Sequence, residues 1–191
     1  MSDAQRDPER LYDALVAGLA RRPRPVALVY KRDHWHQQLI HRLLWALTLG
    51  GQDRYATEYV TTLGHRIYLP DRWEEGAAAS RYAVLRHELV HVAQFERLGW
   101  LGMIFLYGFF PLPLGLAWGR ARLEWEAYAE TLRVHRELGG PQAARDPALR
   151  REILRRFTGP DYGWMWPFPG QVGRWVEEAL AALDAEPGGG G

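Results

Sequence analysis

The sequence contains no cysteine, which excludes a disulfide framework and any thiolate metal site. It has almost no net charge: 24 Lys and Arg against 23 Asp and Glu leave +1, so there is no broad positive field to attract nucleic acid. The one dense basic run, Arg21-Arg22-Pro23-Arg24, reads as a solvated linker. The first ten residues are charged and carry no apolar core of a secretory signal, so the expectation is a cytoplasmic protein. Internal repeats are absent. What remains is ordinary globular material: 191 residues, 47% hydrophobic and 25% charged. That is enough for one core. We expect a single domain over residues 1–185 and a flexible glycine-rich tail over 186–191.

The most informative stretch is His87-Glu88-Leu89-Val90-His91. Tyr82, Leu85, Leu89 and Val92 form an apolar stripe at helical spacing around it. Ser80 is the expected N-cap and Gly99 the expected stop. Two histidines four apart on a helix project from one face, one turn above the other. Their imidazole nitrogens can share one metal at about 2.0–2.1 Å each. Glu88 lies beside that face, placed to reach a water at the metal without occupying the metal itself. Ligand, base, ligand is the order a zinc hydrolase needs.

A catalytic zinc takes three protein ligands. Residues 122–133 form a strong helix with Glu124, Glu126 and Glu130 as candidates for the third. Glu126 and Glu130 share a face, whereas Glu124 points about 200° away from Glu126, so all three cannot meet one ion. Other metal chemistries fit less well. A metzincin places a third histidine soon after a glycine, but after Gly99 the next histidine is His135. A carboxylate di-iron site needs a second Glu-x-x-His, which is absent. A mononuclear iron triad would use the same ligand types, but Glu88 between the histidines favours hydrolysis.

HELVH followed by a helix bearing Glu-x-x-Ala resembles the gluzincin group of zinc metallopeptidases. The pattern is nearest to the membrane-associated prenyl-protein and heat-shock peptidases, whose second motif is Glu-x-x-Ala-Asp. Glu124-Trp125-Glu126-Ala127-Tyr128 matches at Glu124 and Ala127, with Tyr128 in place of the Asp. The resemblance spans roughly residues 57–133. It implies a zincin-like fold, zinc as cofactor, Glu124 as third ligand beside His87 and His91, Glu88 as general base, and a peptide or protein as substrate. The missing Asp raises the question of what orients the zinc histidines, a task for which Glu126 and Glu130 are candidates. The alternative is a zinc-binding protein without catalysis.

The pattern along the chain predicts an α+β fold, mostly helical, with a small sheet or hairpin ahead of the HExxH helix. Residues 8–20 read as an amphipathic helix with Leu11, Leu15 and Leu19 on one face, ended by Pro23 and Pro25. Residues 26–30 read as a short strand. Residues 33–49 read as a helix carrying His34, His36 and His41 in structural roles. Residues 57–70 read as a hairpin broken at Gly64, and the strand of residues 61–69 is a candidate for pairing with an extended substrate backbone. Helices are expected over 141–157 and 171–185. The aromatic loop 161–170 between them is expected to cap the core, with Tyr162 read as core packing and, as the alternative, an oxyanion partner.

Residues 98–119 contain no charge. Pro111 and Pro113 oppose a continuous membrane span, and the chain must return to the metal on the side it left, which would take about 40 apolar residues. The segment reads as a buried excursion or a surface for a protein partner, with peripheral membrane contact as the alternative.

Overall fold

A computed structural model describes residues 7–31, 60–108, 117–159 and 164–186. The expected helix over 33–49 with His34, His36 and His41, Tyr162, residues 109–116 and most of the glycine-rich tail lie outside the described residues.

Within them the fold is mostly helical, with one three-stranded mixed sheet ahead of the longest helical stretch but one. Helix α1 spans Pro8–Leu19. Asp7 caps it by accepting from the Glu9 N–H at 3.1 Å, and Pro8 enters where no amide donor is needed. The sheet contains β1 (Ala27–Tyr30), β2 (Thr61–Leu63) and β3 (Arg66–Leu69), in the order β1-β3-β2. Strand β3 lies parallel to β1 and antiparallel to β2. Its Ile67, Tyr68 and Leu69 are buried, as befits the central strand. The β2–β3 hairpin turns at Gly64, whose φ of +61° suits a residue without Cβ.

A 3₁₀ turn at Trp73–Glu75 leads into α2, Ala78–Met103. The Trp73 indole donates to the Tyr12 hydroxyl at 2.9 Å and ties this turn to α1. Ser80 is not the N-cap. The backbone already turns helical at Ala78, with Arg81 N–H donating to Ala77 C=O, so Ser80 lies inside the first turn. Gly99 does break the regular geometry (φ +66°, ψ 175°), but helix resumes as far as Met103 and passes into a π turn at Ile104–Gly108.

Helix α3 runs Trp118–Ala144, with a second break at Gly140 (φ +76°) just before Pro141. Helix α4 is Pro147–Thr158 and α5 is Pro169–Ala185. The expected start of α4 at residue 141 is therefore corrected. Asp146 caps the helix through the Ala148 N–H at 2.7 Å, and residues 141–144 instead prolong α3 beyond its break.

Two apolar clusters form the core. One joins α1, the sheet, the Trp73 turn and α2 through Leu19, Ile67, Leu69, Leu85 and Val92, with Val134 reaching in from α3. The other joins α3, α4 and α5 around Trp125, Phe157, Trp166 and Trp175, and includes Met165 from the aromatic loop. That loop caps the core as expected, although Trp164 and Phe168 remain exposed. Between the clusters α2 packs along α3. Arg86 on α2 binds Glu130 and Glu137 on α3, and the Tyr82 hydroxyl donates to Glu137 at 3.0 Å.

The uncharged stretch departs from expectation. Met103 and Ala117 are buried, but Trp100, Leu101, Ile104, Phe105 and Trp118 are more than half exposed. Burial, one of the two expectations for this segment, therefore does not hold at these five residues, which flank the end of α2 and the start of α3. Among the described residues no helix is long and apolar enough to cross a membrane.

Candidate metal centre

Helix α2 presents His87 and His91 one turn apart, with ring centroids 5.2 Å apart. Helix α3 brings Glu124 against both. Its Oε2 lies 3.9 Å from His87 Nε2 and 3.8 Å from His91 Nε2. The three residues each offer one ligand atom within a group spanning less than 4.8 Å. Glu124 and His91 are buried and His87 nearly so. Zinc bonds of about 2.0–2.1 Å at tetrahedral angles put ligand atoms roughly 3.3 Å apart, so the two distances from Glu124 to the imidazoles need to shorten by only about half an ångström. Two imidazoles and a carboxylate are also a chemically suitable donor set, and among the described residues they form a group that could hold a metal ion.

Both rings are held by their other nitrogen. His87 Nδ1 lies 3.2 Å from Thr131 Oγ1. The Thr131 hydroxyl donates to the Ala127 carbonyl at 3.2 Å, leaving its lone pairs to accept from His87. His91 Nδ1 lies 2.9 Å from Gln94 Oε1. In each case the Nδ1 proton is engaged and Nε2 is turned toward Glu124. Tyr128, standing where the resemblance leads one to expect Asp, packs edge-on against the His87 ring at 4.9 Å and supplies contact rather than charge.

The electrostatics separate the two histidines. Burial, reinforced by the neighbouring His91, lowers the His87 pKa to about 3. Burial acts on His91 in the same sense, but there the Glu124 and Glu88 carboxylates outweigh it and raise its pKa. Protonation is therefore favoured at His91, between the acids, over His87.

Glu88 is buried and accepts a 2.6 Å hydrogen bond from the Thr62 hydroxyl on β2. Burial pushes its carboxyl above the usual range, opposed chiefly by His91 and by the Thr62 bond. Nearby charge comes from Lys31, at the end of β1, which is itself buried. Desolvation lowers its pKa to about 8, partly offset by attraction to Glu88.

His87, His91 and Glu124 are therefore brought together as the sequence suggests, with Glu88 beside them. The other two acids have different places: Glu130 is engaged by Arg86, and Glu126 by Arg97 and Gln94. Thr62, Gln94, Thr131 and Lys31 were not singled out in the sequence. Two signals could have found a pair of them. Gln94 falls seven residues after His87 on the same helical face, and Lys31 is the lone lysine in a chain otherwise using arginine for its side-chain cations. Compared with protein-family models, curated proteins and solved structures, the chain shows no match to any of them.

Proposed function

We propose that this protein is a zinc-dependent metallopeptidase of gluzincin type, with His87, His91 and Glu124 holding the ion and Glu88 serving as general base. The observation that carries this reading is the convergence of two Nε2 atoms on one buried carboxylate from a second helix, at 3.9 and 3.8 Å, with Glu88 between the two histidines. Zinc bound there would supply Lewis acidity, lowering the pKa of a coordinated water toward ~7 and polarising a substrate carbonyl.

The remaining steps fall to the chain. Glu88 accepts the proton of the attacking water and passes it to the leaving amine. Its raised proton affinity suits that role, because a carboxyl poised nearer neutrality takes up and releases a proton more evenly than one at its ordinary value. Thr62 holds one carboxylate oxygen at 2.6 Å and so limits the directions in which Glu88 can point. Strand β2, which carries Thr62, pairs on one side with β3 and stands at the end of the strand order. An extended peptide added along β2 would pass close to Glu88.

A purely structural zinc site accounts for the three ligands but gives no role to a buried acid fixed in place beside them. The discriminating experiment is Glu88→Gln, assayed on a mixture of synthetic peptides by mass spectrometry. The proposal predicts unchanged zinc content and a loss of cleavage of at least about 100-fold, in keeping with the usual weight of a general base. Cleavage at the wild-type rate would remove Glu88 from the mechanism. No cleavage by wild-type protein loaded with zinc would favour the structural alternative.

A further inference from the structure

Gln94 is 1% exposed, yet it is a polar side chain on the site-facing side of α2. All of its hydrogen-bonding groups are engaged. Oε1 faces His91 Nδ1 at 2.9 Å. Nε2 donates to the Leu123 carbonyl and to Glu126 Oε2, both at 2.9 Å. Glu126 in turn accepts from Arg97, which is 57% exposed at its side chain, at 2.9 and 3.1 Å.

Chemistry dictates the orientation of the Gln94 amide. The Leu123 carbonyl and the Glu126 carboxylate can only accept, so the NH₂ must face them. Reversing the amide would set its oxygen against two acceptors in a buried place and leave its donors facing away from them. The oxygen is therefore committed to His91, and an acceptor at 2.9 Å requires a proton on Nδ1. The Nε2 lone pair is then free to face Glu124 once the second proton is lost.

We infer that Arg97, Glu126 and Gln94 form a relay that sets the tautomer and aim of His91, so that an ion pair at the protein surface tunes metal affinity at the buried site. The effect on affinity rests on the reading of His87, His91 and Glu124 as metal ligands; the effect on the tautomer does not. In the relay the Glu126 carboxylate acts on His91 through the Gln94 amide rather than on the imidazole directly. Gln94, Glu126 and Arg97 are positioning residues and none touches the ion.

The relay can be tested first without metal. Long-range proton–nitrogen NMR of the metal-free protein, above the pH at which His91 becomes neutral, distinguishes a protonated Nδ1 from a protonated Nε2. In the wild type the proton belongs on Nδ1. Gln94→Met keeps the bulk of the side chain and removes its hydrogen bonds, and should give a mixture of tautomers. An unchanged His91 spectrum in that variant would overturn the inference.

Zinc affinity, measured by competition with a coloured chelator, provides the second readout. We expect Gln94→Met to weaken binding by about 10- to 100-fold, the usual effect of losing a partner behind a metal histidine. Glu126→Gln and Arg97→Ala should weaken it by successively smaller factors. The double variant Gln94→Glu with Glu126→Gln restores an acceptor for His91 and a donor for position 94, and should recover part of the loss. Affinity within about twofold of wild type in Gln94→Met would contradict the relay, as would a double variant no better than Gln94→Glu alone. If the wild type binds no zinc, the metal reading fails and the tautomer measurement still decides the role of Gln94.

Discussion

The two apolar clusters are built differently, and the candidate site lies where they meet. The first is a sheet-and-helix core of mainly aliphatic residues: Leu19, Val26, Ile67, Leu69, Leu85 and Val92, with Tyr12, Trp73 and Tyr82 at its edge. The second is helical and rich in aromatics, with the Trp175 ring in contact with those of Trp125, Phe157 and Trp166. The first cluster's helix supplies His87, Glu88 and His91, and the helix leading into the second supplies Glu124. Burying polar groups in either cluster would be costly without partners. At the seam the partners exist, because each helix satisfies the polar groups of the other: Arg86 with Glu130, His87 with Thr131, and Gln94 with Leu123 and Glu126. Dry packing fills both clusters, and the candidate site sits where the two leave room for a shared polar layer.

The strongest way to test this division is to damage each core separately. Phe157 and Leu85 are both fully buried. Phe157→Ala should cost about 3–5 kcal/mol and Leu85→Ala about 2–5 kcal/mol in unfolding by denaturant. Because α2 and α3 are joined along the seam, each variant should still unfold in a single transition. Two separated transitions would show that the clusters are independent units and that the site bridges them only loosely.

A smaller effect should come from Lys31, where the polar layer reaches the sheet. Its pKa is lowered from 10.5 to about 8 by burial. Folding therefore requires a desolvated charge at pH 7, and the penalty is relieved as the pH rises from about 8 toward 10.5, where the unfolded chain binds the additional proton. Lys31→Met should stabilise the metal-free protein by about 1–3 kcal/mol at pH 7, with the gain shrinking above pH 8. The same change removes a positive charge that favours ionised Glu88, so peptide cleavage should fall while stability rises. A destabilised variant at pH 7 would mean that the contacts of Lys31 outweigh its desolvation.

The smallest effect lies at the hairpin that carries Thr62. Gly64 has φ +61°, and a Cβ there would come 3.2 Å from the Trp100 ring. Gly64→Ala should cost about 1–2 kcal/mol in thermal or denaturant unfolding, and by shifting β2 it should lower cleavage more than zinc binding. Equal loss of both would mean that the hairpin supports the ligands themselves.

What was legible in the sequence was local. The i, i+4 spacing of His87 and His91 dictates a shared face in any helix, and a run rich in β-branched and aromatic residues interrupted at Gly64 is enough for a hairpin. Asp146 and Pro147 show why element ends were less legible. They form a good cap and first turn, but the pattern from residue 141 onward is equally helical, and the two helices part only at Arg145–Asp146, beyond the break at Gly140. Glu124 is a different case. Helical spacing separates it from Glu126 and Glu130 without saying which of them meets the histidines, and only the packing of α3 against α2 decides it. Gln94 and Thr62 depend wholly on tertiary contacts, across 32 and 26 residues to Glu126 and Glu88 respectively. The exposed Trp100, Leu101 and Phe105 mark the opposite failure: hydrophobic composition does not reveal which way a segment leaves the core.

We propose that His87, His91 and Glu124 are the ligands of one zinc ion. The most direct test is the metal content of the untagged protein by mass spectrometry, for the wild type and for Glu124→Ala. We expect about one zinc per chain in the wild type and little or none in the variant, with the variant still folded. A wild type that takes up no zinc after reconstitution, or a Glu124→Ala variant that retains a full equivalent, would contradict it.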